Sequence, residues 1–186
     1  METDTILLVD DEKNVLEALK RAFYDDPWTV LTASNASDAF TLLLRYPIKV
    51  IISDEQMPGV AGSALLALVR ERFPSAIRIM LTGHASIDAA MRAINDGEIY
   101  RFLTKPWDNN ELRIIVRTAL EKYNLEEENR RLLALVRQQA VEMKLLERQF
   151  PGISKLERDE SGQIVVPEIS EEELQQIVEQ CQREYA

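Results

Sequence analysis

The chain has 186 residues, with 22 Lys and Arg against 32 Asp and Glu, giving a net charge of −10. A hydrophobic share of 46% supports a packed core and is too high for a disordered chain. A single cysteine (Cys181) excludes an internal disulfide framework, a single histidine (His84) excludes any centre that needs two, and no apolar run reaches the roughly 18 residues of a membrane span.

Short apolar runs alternate with helical patterns along the first two thirds of the chain. Ile6-Leu7-Leu8-Val9 is the first run, and Val15, Leu16, Leu19, Ala22 and Phe23 follow at helical spacing. Thr29 to Ala33 is a β-branched run, followed by Ala39, Leu42, Leu43 and Tyr46. Val50-Ile51-Ile52 runs into Ser53-Asp54, with Leu65, Leu66, Leu68 and Val69 after it. Ile77 to Leu81 precedes Ala89, Ala90, Ala93 and Ile94, and Ile99 to Leu103 precedes a helix that opens after Pro106. Apolar runs that do not alternate mean strands buried on both faces. Strands that alternate with helices predict an α/β fold with a doubly wound five-stranded parallel sheet, its chemistry at the carboxyl ends of the strands.

The last helix overruns the domain. Asp108-Asn109-Asn110-Glu111 has capping-box spacing, and no Gly or Pro follows until Pro151-Gly152. A heptad frame fits the second half of this helix. Asn129, Val136, Met143 and Phe150 occupy one core position, while Leu125, Leu132, Gln139 and Leu146 occupy the other. This predicts a coiled coil and a homodimer paired through Leu125, Asn129, Leu132, Val136, Met143 and Leu146. Parallel and antiparallel pairing, and two or four helices, all fit the pattern.

Residues 151–186 are expected to form a small α+β tail. Ser154–Arg158 and Gln163–Val166 flank the turn Asp159-Glu160-Ser161-Gly162, and Ser170-Glu171-Glu172-Glu173 starts an amphipathic helix bearing Leu174, Ile177, Val178 and Cys181. Cys181 reads as a small core residue. The expected domains are 1–122, 123–150 and 151–186. The last segment holds 3 basic and 9 acidic residues, which argues against DNA or RNA contact. The acidic start Met1-Glu2-Thr3-Asp4 is unlike an export signal, so a cytoplasmic location without membrane insertion is expected.

Asp10, Asp11 and Glu12 follow the first predicted strand, Asp54 sits just past the end of the third, Thr82 ends the fourth and Lys105 the fifth. In adjacent parallel strands these carboxylates converge, and like charges that close repel unless a cation neutralises them. Mg²⁺ takes oxygen ligands of this kind. Acids, a hydroxyl and an amine in one pocket suit a phosphoryl group, whose phosphorus a carboxylate can attack.

These residues carry a resemblance. Leu8-Val9-Asp10-Asp11-Glu12, Asp54-Glu55-Gln56-Met57-Pro58-Gly59, Leu81-Thr82-Gly83-His84 and Phe102-Leu103-Thr104-Lys105-Pro106 resemble the motifs of receiver domains in bacterial two-component response regulators. The resemblance covers residues 4 to about 122. It implies a flavodoxin-like fold with strand order 2-1-3-4-5. It also implies a phosphoacceptor, Asp54, that takes its phosphoryl group from a sensor histidine kinase. Asp10, Asp11, Asp54 and the backbone carbonyl of Gln56 would hold Mg²⁺, and Lys105 and Thr82 would contact the phosphoryl group. Thr82 and Phe102 would form the switch, with Gln56 and His84 tuning the phosphate lifetime. Phe102 also reads as a plain core residue, and His84 as an exposed loop residue. Receivers often carry a cis bond after the lysine, and the sequence is compatible with either isomer of Lys105–Pro106.

No output enzyme is legible. There is no P-loop or cyclase-like motif, and one histidine is too few for an HD-type phosphohydrolase. The expected function is a phosphorylation-controlled regulator, not an output enzyme, that promotes its own phosphorylation and dephosphorylation and acts on an unknown output protein through helix and tail. Ile99 to Trp107 resembles receivers fused to HD-type hydrolases. A receiver serving a separate output, such as a cyclic-dinucleotide phosphodiesterase, is therefore the alternative, and a phosphorelay shuttle a weaker one.

Overall fold

A computed structural model describes residues 3–83 and 99–150 of the chain. The five strands are β1 (Thr5–Val9), β2 (Thr29–Ala33), β3 (Ile48–Asp54), β4 (Ile77–Thr82) and β5 (Arg101–Thr104). The described helices are α1 (Lys13–Ala22), α2 (Ala36–Arg45), α3 (Gly62–Arg72) and α4 (Asn109–Gln149). Two compact units divide the chain, one ending at Leu132 and the other starting at Leu133. The expected helix around Ala89–Ile94, the tail elements, Cys181 and His84 lie outside the described residues.

The strands form one parallel sheet in the order β2-β1-β3-β4-β5, a flavodoxin-like arrangement as expected. Its apolar runs do not alternate because both faces are covered. Ile6, Leu8, Val50, Ile52, Ile79 and Leu81 pack on one face against Leu16 and Leu19 from α1, Phe23 just after it, and Leu112, Val116 and Leu120 from α4. Leu7, Val9, Ile51 and Met80 pack on the other face against Ala39 and Leu43 of α2 and Leu65, Leu66 and Val69 of α3. The strands therefore feed two cores by alternation, broken only at the start of β3, where the register with β1 shifts and Ile48 joins Ile51 in the second core.

Helix starts follow local chemistry. Asn35 Oδ1 accepts from Asp38 N–H at 2.8 Å and caps α2. Asp108 Oδ1 accepts from the N–H groups of Asn110 and Glu111, each at 2.9 Å, and caps α4. Two strand boundaries differ from the sequence pattern. Asp54 is the last residue of β3, and β5 starts at Arg101, so Ile99 and Tyr100 precede it. Ile99 is buried all the same, which is why its hydrophobicity reads as strand.

The sheet order sets where function can sit. The chain leaves β1 for β2 on one side, then crosses to β3 on the other. The crevice at this switch point lies over the carboxyl ends of β1 and β3. Val9 pairs with Ser53, so Asp10 falls beside Asp54. Thr82 pairs with Thr104, so Lys105 follows at the same edge.

A candidate phosphoryl-accepting pocket

Five residues named from the sequence meet at this edge. Asp10 is fully buried and Asp54 is 5% exposed. The Lys105 ammonium lies 2.8 Å from Asp10 Oδ2 and 2.7 Å from Asp54 Oδ1. Carboxylate oxygens of Asp10, Asp54 and the exposed Asp11 all lie within 4.8 Å of one another. The remaining oxygens are held by backbone. Glu12 N–H donates to Asp10 Oδ1 and Gln56 N–H to Asp54 Oδ2, both at 2.9 Å. Thr82 is fully buried at the end of β4, and its hydroxyl donates to the Gly83 carbonyl at 3.1 Å. Lys105 N–H donates to the Thr82 carbonyl at 2.8 Å, which fixes the base of the lysine, and the Lys105–Pro106 bond is cis.

Of the two residues expected to tune the site, Gln56 is exposed beside Asp54. Phe102 is half-buried and packs against the core on the α2–α3 face, so its ring is a core contact in this structure.

The electrostatics follow from burial. Desolvation pushes the Asp10 pKa above its ordinary value, against the lowering effect of Lys105 and the Glu12 N–H. For Lys105, desolvation acts downward, but its bonds to Asp10 and Asp54 outweigh it and hold the ammonium pKa above normal. A raised carboxyl pKa means that the favourable contribution of Asp10 to stability is complete below its unfolded pKa. That contribution is lost as pH rises through the folded value. Charged Asp10 is therefore a cost at neutral pH, and a cation bound by Asp10, Asp11 and Asp54 would offset it. The donor set is all oxygen, as Mg²⁺ requires.

Two further residues shape the pocket, and the sequence reading gave neither a role. Glu55 turns away from the acids and caps α3. Its Oε2 accepts from Ser63 N–H at 2.7 Å and its Oε1 from the Ser63 hydroxyl at 2.9 Å. A capping residue eight positions upstream of its target breaks the local spacing by which caps are recognised. Gly62 sits so close to the phosphoacceptor candidate that a Cβ there would stand 2.0 Å from the Asp54 carbonyl oxygen. Its signal was only a glycine at the start of a helical pattern.

A five-stranded sheet with three aspartates and a lysine gathered at its switch point is the arrangement of a receiver-type signalling domain. Residues 6–117 match the family model of the response regulator receiver domain, and the chain belongs to that family. The hydrogenase transcriptional regulatory protein HoxA of Cupriavidus necator is 40% identical over 128 residues, which are 69% of this chain and 26% of that protein. The signal receiver domain of an HD domain-containing protein from Pseudomonas fluorescens Pf-5 aligns with a TM-score of 0.65 at 38% identity, covering 69% of this chain and 94% of that one. A structure described as adenylate cyclase from Rhodopirellula baltica aligns with a TM-score of 0.68 at 31% identity, covering 72% and 98%. The matched segment spans about a quarter of the length of the curated relatives. Among the described residues no helix is long and apolar enough to cross a membrane.

Two expectations follow. Gly62→Ala forces the α3 start away from Asp54 and lowers stability by about 1–3 kcal/mol, read as a reduced urea midpoint. Mg²⁺ raises the thermal midpoint of the wild type. Asp10→Asn removes most of that increment, while its metal-free midpoint at neutral pH is not below that of the wild type. A metal-dependent increment that survives Asp10→Asn would remove Asp10 from the ion site.

Proposed function

We propose that the chain is a phosphorylation-controlled regulator whose Asp54 accepts a phosphoryl group from a sensor histidine kinase. The observation that carries this reading is the Lys105 ammonium shared between Asp10 and Asp54 within a buried oxygen-rich pocket. One Asp54 carboxylate oxygen attacks phosphorus, an O–P bond forms, and the N–P bond of the donor phosphohistidine breaks, leaving the imidazole. Lys105 neutralises phosphoryl oxygens, and the Thr82 hydroxyl turns from the Gly83 carbonyl to bond one of them. Mg²⁺ held by Asp10, Asp11, Asp54 and the Gln56 carbonyl would supply further charge neutralisation. Phosphorylation adds negative charge at the sheet edge, and Lys105 and Thr82 pass the change to β4 and β5.

The output we assign is self-association through α4 and binding of a partner protein. Leu125 and Leu132 are 67% and 49% exposed, and Val136, Met143 and Leu146 are also exposed. A helix with that many apolar side chains in water at heptad positions fits a partner helix. The relatives named as transcriptional regulators favour a second reading, in which this receiver serves an output carried elsewhere. The HD domain-containing neighbour makes a phosphohydrolase one such output.

Incubation with a small phosphodonor and Mg²⁺ is expected to add one phosphoryl group to wild type and none to Asp54→Asn, as read by intact mass. Addition to Asp54→Asn would move the phosphoacceptor elsewhere. Leu132→Lys with Val136→Lys is expected to convert a dimer to a monomer in light scattering, with phosphoryl uptake at Asp54 retained. A dimer that survives both charges would place pairing off this helix face.

A further inference from the structure

At the amino ends of the strands, opposite the acidic pocket, α4 passes a cluster of side chains that the proposed chemistry does not use. Lys49, the second residue of β3, donates to Asp4 Oδ1 at 2.6 Å and to Asn124 Oδ1 at 2.9 Å. Its ammonium also lies 5.5 Å from the centre of the Tyr123 ring. The side chains of Lys49 and Asp4 are 19% and 27% exposed, so this pair is partly withdrawn from water. One turn earlier, Leu120 is the last fully packed apolar residue of α4 on the sheet. One residue later, Leu125 is the first of the exposed apolar heptad positions.

The lysine therefore stands at the change from packed helix to solvated helix. Full apolar burial ends at Leu120, the half-buried Tyr123 is the last side chain of α4 on that core, and a helical segment with few tertiary contacts opens more readily. Lys49 adds a polar tie at this point, with two oxygens and an aromatic face fixing one ammonium. The tie also sets direction. Successive residues of an α-helix turn by about 100°, so fixing Asn124 fixes where Leu125 points.

We propose that Lys49 is a latch that fixes the direction of α4 where it leaves the sheet, and that this latch carries the state of the receiver to the pairing positions at Leu125 and Leu132. The second half rests on the function proposed above. The first half stands on the contacts alone. A change at β4 and β5 can displace the packed part of α4. That displacement reaches Leu125 if residues 121–124 follow as a unit, and is lost if they fray or swivel.

The test uses the full chain as wild type, Lys49→Met, Asn124→Leu and the double variant. Hydrogen exchange of the amides of residues 121–132 is expected to rise several-fold in each single variant, with little further rise in the double, as one shared bond requires. Lys49→Arg keeps the charge and is expected to retain most of the protection. Phosphoryl uptake at Asp54 should stay at the wild-type level. Any change in dimerisation on phosphorylation, read by light scattering, should shrink several-fold in Lys49→Met. Should Lys49→Met fail to fold, Asn124→Leu carries the same readouts. Unchanged exchange in the variants overturns the latch. Faster exchange with a full phosphorylation response overturns its coupling role. A wild type whose assembly ignores phosphorylation overturns the function proposed above, and the exchange result still decides the latch.

Discussion

The receiver edge is organised around one ammonium shared by two buried carboxylates. Asp10 and Asp54 have oxygens within 4.8 Å of each other, a repulsion of about 3–4 kcal/mol at an effective dielectric near 20. Lys105 reaches one oxygen of each at 2.8 and 2.7 Å. On the same scale each contact is an attraction of roughly 6 kcal/mol. The attraction exceeds the repulsion, yet each buried ion also costs several kcal/mol of hydration. The trio is therefore held together without being relaxed, and the raised Asp10 pKa is the residue of that imbalance. A pocket in this condition has affinity for additional positive charge and for a rearrangement of its negative charge. Those are the two events that the proposed chemistry involves.

That arrangement depends on strand register. Val9 opposite Ser53 places Asp10 beside Asp54, and Thr82 opposite Thr104 puts Lys105 at the same edge. In a sheet buried on both faces, a slip of one residue would exchange the two cores, so hydrophobic packing enforces the register. The cores of Ile6, Leu8, Val50 and Ile52 on one side and of Leu7, Val9 and Ile51 on the other thus do more than stabilise the domain. They hold three carboxylates and an amine in place against their own electrostatics.

Much of this was legible in the amino-acid sequence, because it depends on periodicity and on residues adjacent to apolar runs. Strand order could be inferred only through family resemblance, since neighbours in a parallel sheet are far apart in the chain. The misplaced start of β5 came from Ile99, whose burial mimics a strand residue. Glu55 and Gly62 went unread for a different reason. Glu55 caps a helix from across a loop, and Gly62 is required by a backbone carbonyl eight residues earlier. Lys49 belongs to the same class. Its partners Asp4 and Asn124 lie 45 and 75 residues away, and no local pattern links them.

The long helix poses an energetic question that its exposed side chains answer. Leu125, Leu132, Val136, Met143 and Leu146 are between 43% and 67% exposed. Full burial of such a side chain contributes about 1.5–3 kcal/mol, so covering the remaining half contributes roughly 0.8–1.5 kcal/mol. Two helices bring ten such positions, or about 8–15 kcal/mol. Association costs on the order of 4–15 kcal/mol in lost freedom, with further cost for ordering side chains. Asn129 at a core position subtracts from the gain while favouring one register. The gain and the cost of pairing are thus of the same order of magnitude. A change of one or two kcal/mol at the receiver then shifts the pairing equilibrium constant by about five- to thirtyfold. A stronger seam would stay shut whatever the state of Asp54, and a weaker one would never close.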